Sequence, residues 1–163
     1  MKNNTKMITI IGVLTALYVV MSAFLKFTLF SNIMVDLGYV VFTVALCMYG
    51  VYGTVVGVVG CALESILFSA YGFSISWVAA NLVIGLTAGF VLHKNVHVFA
   101  KCLVILLSVA VGMLGVKTAI ECILYGIPLA VKIPKNAVAF AIDTVTMIMG
   151  LSVYKIIADK VIK

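Results

Sequence analysis

The sequence has no arginine, and charged residues of both signs fill only 10% of its 163 positions, where soluble domains carry about 25%. Hydrophobic residues make up 65% of the chain against roughly 45–50% in soluble proteins, so a water-soluble fold is excluded. The eleven basic residues are all lysines, scattered singly at the ends of apolar runs. A nucleic-acid binder would gather its cations on one face. Single lysines at segment ends instead anchor helices in the headgroup layer and set their orientation, so the net charge of +6 implies no nucleic-acid partner. Cys47, Cys61, Cys102 and Cys122 lie inside apolar runs without C-x-x-C spacing, a pattern of packing residues and of neither a disulfide framework nor a zinc site. His93 and His97 flank Lys94 with no third ligand close by, so no metal is expected.

What the chain has in abundance is apolar sequence. Six crossings of about 20 residues each take roughly 120 residues and leave about 40 for connections, so residues 1–163 are expected to form one membrane domain. Backbone amides in hydrocarbon must be bonded within their own segment, which makes these runs helices. The expected fold class is all-α, a polytopic membrane bundle of six helices. The runs cover residues 7–25, 36–51, 53–71, 74–92, 98–127 and 135–157, with Lys26 marking the far end of the first. The opening run exceeds the h-region of a signal peptide and no small-residue cleavage pattern follows it, so it is expected to stay as the first helix. Pro128 and Pro134 should bracket the last connection, since helix interiors tolerate proline poorly.

An even number of crossings puts both termini on one side. Lys2, Lys6, Lys94, Lys101, Lys155, Lys160 and Lys163 fall on that side, Lys26, Lys132 and Lys135 on the other, and Lys117 within the fifth helix. Lysine favours the cytoplasmic side. Both termini are therefore expected inside the cell, with residues 27–35, 72–73 and 128–134 as the outer connections.

That orientation gives each polar residue in the helices a depth, and the depths coincide. Glu64, Trp77, Asn81, Lys117, Glu121 and Tyr125 fall in the outer halves of the third, fourth and fifth helices, Asn136 opens the sixth, and Asp143 lies two turns deeper. A charge at bilayer depth costs about 2.5–3.5 kcal/mol on insertion scales, so such groups face a cavity or one another. Taken singly, each has a plainer explanation. Lys117 and Glu121, four apart, can neutralise each other; Trp77 can be a boundary aromatic; Asp143 and Glu64 can pair with helix ends or with Lys117. Four helices aiming such groups at one level favours a small polar ligand bound from outside.

Small residues let helices in lipid approach closely. Gly53 with Gly57 and Gly85 with Gly89 form GxxxG pairs whose simplest use is packing within the chain. Gly12 and Ala16 form a similar pair on the first helix, which has no buried charge and whose face is free for another subunit. No Walker A loop, H-E-x-x-H, G-x-S-x-G or Ser-His-carboxylate set at one depth is present. Neither enzymatic activity nor a cofactor is expected.

The stretches TIIGVLTALYVVMSA in the first helix, VDLGYVVFTVALCMYGVYGTVVGVVG across the second and third, NLVIGLTAGFVLHKN ending the fourth and IPKNAVAFAIDTVTMIMG in the sixth together resemble the S components of energy-coupling factor (ECF) transporters, small six-helix proteins that capture vitamins and related micronutrients. The resemblance implies a multi-pass subunit of the bacterial plasma membrane with its ligand site near the outer face. It also implies a separate membrane T component with two ATPase subunits as the power source, which suits a chain without a Walker motif. Gly12 and Ala16 match the small residues by which the family docks on the T component. Val20 departs from that pattern, so Ser22 and Ala23 are expected to extend the contact. In such a site Trp77 would stack, Asn81 and Asn136 would form hydrogen bonds, and Glu64, Glu121, Asp143 and Lys117 would meet polar or charged groups of the ligand, with Tyr125 beside them. Three carboxylates against one lysine lean toward a thiamine-like, pyrimidine or pyridine vitamin, while Lys132 and Lys135 at the mouth leave a folate open. Two rival functions are a small structural or regulatory membrane protein held together by its buried charges, and a stand-alone secondary carrier.

Overall fold

The protein is described from a computed structural model covering residues 2–25, 27–30, 33–68 and 72–161. Helix α1 spans Lys2–Phe24, α2 Gly38–Tyr49, α3 Thr54–Phe68, α4 Ile75–Leu92, α5 Val98–Val109, α6 Thr118–Tyr125 and α7 Leu129–Val161. Among the described residues, five stretches are long and apolar enough to cross a membrane: Asn4–Phe24, Gly38–Phe68, Ile75–Leu92, Val98–Tyr125 and Leu129–Lys160.

The second of these stretches is not one rod. A Cβ built on Gly57 would lie 2.5 Å from the ring of Phe42, and one on Gly53 the same distance from the carbonyl oxygen of Ala45. Residues 15 apart on a straight helix are about 22 Å apart, so the chain reverses between α2 and α3. The reversal is a 3-10 turn over Gly50–Gly53 that starts with Gly50 at φ 59°, a left-handed conformation that favours glycine. Both GxxxG pairs pack inside the chain. Gly85 faces the Thr54 side chain and Gly89 the backbone of Gly50. Gly53→Ala is therefore expected to lower stability by about 1–3 kcal/mol, because the obstructing atoms are backbone. Gly12→Ala, where a Cβ meets nothing within 4 Å, should leave stability unchanged or slightly raised. Thermal unfolding in detergent compares the two.

Helix α2 is the centre of the bundle. Gly38, Tyr39 and Val41 through Cys47 are all buried, the mark of an apolar helix enclosed on every side. It packs against α7, α1, α3 and α4, while α1, α3, α4, α5 with α6, and α7 form an arc around it. At 12 residues it is about 18 Å long, so it ends short of a full bilayer thickness. Before it in the chain comes an antiparallel ribbon of two strands, β1 (Phe27–Phe30) and β2 (Ile33–Val35), in which Phe27 pairs with Val35 and Thr28 with Met34. This ribbon adds to the expected all-helical architecture. Lys26 and Tyr71, expected segment ends, lie outside the described residues.

Two other expectations are corrected. Helix α7 begins six residues before Lys135, so Pro134 lies inside it. The carbonyl of Pro128 accepts from Val131 N at 3.0 Å and Lys132 N at 3.3 Å and starts the helix there. Pro134 removes only the bond to Ala130, and both residues are exposed, so the freed carbonyl need not be buried unpaired. Gly126, at φ 62°, ends α6 just before it. The second correction concerns Ser22. It is fully buried and donates to Asp36 Oδ1 at 2.6 Å, tying α1 to the start of α2, so it does not extend the exposed face of α1.

Candidate functional site

The polar residues gather at the end of the bundle where α2 begins. Asp36 precedes α2 and accepts from the Gly38 amide at 2.8 Å, which satisfies a helix-start donor. One turn on, Tyr39 is buried and its hydroxyl donates to Asn81 Oδ1 on α4 at 2.8 Å. Asn81 is 0% exposed, and the other end of its amide, Nδ2, has no hydrogen-bond partner. Asp143 on α7 is 3% exposed and its Oδ2 is likewise buried without a partner. Asp143 interacts electrostatically with both Tyr39 and Lys117. An amide donor on α4, which bonds the Tyr39 phenol through its oxygen, and a carboxylate oxygen on α7 are thus both buried without partners and are not bonded to each other. Buried polar atoms are nearly always paired, which makes these two open atoms informative. Thr54 Oγ1, at the α3–α4 crossing, also lacks a partner.

Beside them lies a second group that is internally bonded. Lys117 Nζ sits 3.5 Å from the centroid of the Trp77 ring and donates to Asn136 Oδ1 at 3.2 Å. Asn136 Nδ2 donates to Thr118 Oγ1 at 2.9 Å and to Glu121 Oε2 at 3.1 Å. Glu121 also takes a salt bridge from Lys132 at 3.2 Å and a long bond of 3.5 Å from Ser76. A lysine desolvated against an indole face gains a cation–π attraction, and charge-assisted bonds meet the rest of its needs.

A π-helical segment over Ala110–Lys117 places this group. In the wider coil Thr118 Oγ1 bonds the carbonyl five residues back, on Met113, at 3.0 Å. Such insertions rotate the residues that follow and are frequent at functional sites. Gly112 lets the segment close on α4, since a Cβ there would lie 2.5 Å from Ile84.

Of the residues expected in the site, the structure joins Trp77, Lys117, Glu121 and Asn136 by direct contacts, bonds Asn81 to Tyr39 and buries Asp143 on α7. Glu64 is buried on α3. Tyr125 is 55% exposed at the end of α6 and none of the described contacts links it to the group. Sequence reasoning missed Tyr39, Ser76 and Thr118; each sits in an apolar run where one hydroxyl gives no periodic signal. Gly12 and Ala16 are exposed on α1, among the exposed Val13, Leu17 and Val20.

The family profile described as the ECF-type riboflavin transporter S component matches residues 2–162. The chain belongs to this family of membrane transport subunits. Among solved structures, the fold is similar to the crystal structure of the S-component for biotin from an ECF-type ABC transporter, with a TM-score of 0.71 and 16% identity over 98% of this chain and 94% of that one. It is also similar to FolT bound with folic acid, with a TM-score of 0.66 and 18% identity over 88% of this chain and 90% of that one. No curated protein matches in sequence.

Proposed function

We propose that this protein captures riboflavin, or a vitamin with the same imide edge, at the outer side of a bacterial plasma membrane and delivers it through a T component and two ATPases. The chain crosses six times in this proposal, α2 and α3 counting separately, with both termini cytoplasmic. The observation that carries it is the open pair, Asn81 Nδ2 and Asp143 Oδ2. An imide edge offers an N–H flanked by carbonyl oxygens, which complements a carboxylate acceptor beside an amide donor. The family match supports the flavin in particular.

The two groups of polar residues divide the work. Lys117, Glu121 and Asn136, with Trp77 and Lys132, hold α4, α6 and α7 in register, and Asn81 and Asp143 meet the ligand. Glu64 and Tyr125 line the route from outside. The ligand displaces side chains that close the site, because the cluster is almost fully buried.

The test is a panel of riboflavin, biotin, folate and thiamine against the purified protein, read by thermal unfolding. Riboflavin at a hundredfold excess over its dissociation constant should add about 2.7 kcal/mol of stability. A shift with none of the four leaves a structural membrane protein as the better account. For delivery, Gly12→Leu with Ala16→Leu should abolish uptake in cells while riboflavin binding by the purified variant stays at the parent level. Uptake that survives this change, or that continues without the ATPases, would assign transport to a stand-alone carrier.

A further inference from the structure

At the opposite end of the bundle, α5 and α7 border a cleft of about 420 Å³. Lys101 on α5 and Lys155 on α7 stand on its two walls, with Ser152 and Tyr154 beside them and Ile148 and Leu151 deeper. The lining residues of α7 recur at helical spacing from Ile148 to Ala158, so one face of that helix is committed to the cleft. Neither lysine is ion-paired among the described residues. The nearest acid in sequence, Asp159, is exposed one turn beyond Lys155 and does not line the cleft. The surroundings are apolar: Val98, Phe99, Met149, Val153 and Ile156 are all exposed on the same two helices. In a membrane-embedded chain such residues are bathed in acyl chains.

We infer that this cleft binds one anionic phospholipid, its phosphate between Lys101 and Lys155 and its first methylenes against Ile148 and Leu151. A soluble anion would satisfy the lysines and leave the apolar floor empty. A neutral lipid would fill the floor and leave two cations unmatched. A protein partner approaching from the water would have to displace the lipid that covers the flanking apolar residues. Basic pockets between membrane helices near the headgroup layer take acidic lipids for these reasons. The inference rests on the membrane reading of the chain and is independent of which vitamin is captured.

Native mass spectrometry of the purified protein tests it, with phosphatidylglycerol and phosphatidylcholine of matched chains added in turn. One phosphatidylglycerol should be retained at a concentration roughly 30-fold lower than phosphatidylcholine, the effect of two lysines near the surface. Lys101→Gln with Lys155→Gln should remove that preference. Lys94→Gln with Lys160→Gln, which deletes the same charge outside the cleft, should keep it. Equal retention of the two lipids, a preference that persists in the cleft variant, or equal loss in both variants would overturn the proposal. Competition by glycerol phosphate as effective as by the whole lipid would also overturn it, since the apolar floor would then be idle. Riboflavin binding measured on the same samples separates the two accounts. Its loss beside an intact lipid preference counts against the vitamin site alone, and the reverse pattern counts against the lipid cleft alone.

Discussion

Replacing Asp143 by asparagine should weaken riboflavin binding roughly 10- to 100-fold while leaving the ligand-free protein at least as stable as the parent. The two halves of this result come from one fact. Asp143 Oδ2 is buried and without a hydrogen-bond partner, so neutralising the side chain removes an unfavourable burial. In the proposed site the same oxygen accepts from the imide N–H of the vitamin, and hydrogen bonds to charged groups contribute about 1.5–3 kcal/mol. A residue kept for structure would behave in the opposite way, losing stability and keeping affinity. Equilibrium titration by flavin fluorescence gives the affinity, and thermal unfolding without ligand gives the stability. Loss of stability with unchanged affinity would move Asp143 out of the site.

Glu121→Leu should show the complementary pattern, with destabilisation of about 3–5 kcal/mol. Glu121 pairs with Lys132 and accepts from Asn136, whose amide oxygen in turn accepts from Lys117. Its removal takes the salt-bridge partner from Lys132 and leaves Lys117 with Asp143 as its remaining counter-charge, and a buried charge stripped of compensation is the expensive case. Adding Lys117→Met should recover much of the loss, because an apolar replacement of both partners is often close to neutral. The coupling is read from a double-mutant cycle. Additive losses would show that Lys117 and Glu121 act independently and that the bonded group does not hold the helices in register.

The sequence made the polar level and the intramolecular use of the GxxxG pairs visible because both depend on spacing along helices. Asn81, Lys117, Glu121, Asn136 and Asp143 stand out as costly residues in hydrocarbon, and their depths follow from counting along each run. Their division into an open pair and a bonded group was not visible, because it depends on where Tyr39 and Thr118 direct their hydroxyls. The π-helical segment was hidden for a related reason. Its residues AVGMLGVK are as apolar as the turns on either side, and only the spacing of Gly112 and Gly115 marks it. The early start of α7 went against the usual exclusion of proline from helices, which weakens where the freed carbonyl is exposed. Residues 27–35 carry no alternating polar pattern that would separate a ribbon from a loop. Ser22 looks in the sequence like the other small residues of α1, because composition alone does not say which side of a helix meets Asp36.

In the proposed site Asn81 Nδ2 and Asp143 Oδ2 meet the imide edge of a flavin. A structure of the protein solved with riboflavin bound tests it most directly. The expected result is the imide N–H within hydrogen-bond distance of Asp143 Oδ2 and a neighbouring carbonyl within that distance of Asn81 Nδ2, with the Lys117–Asn136–Glu121 bonds intact. Riboflavin lodged elsewhere, or Asn81 and Asp143 bonded to each other in its presence, would contradict the claim.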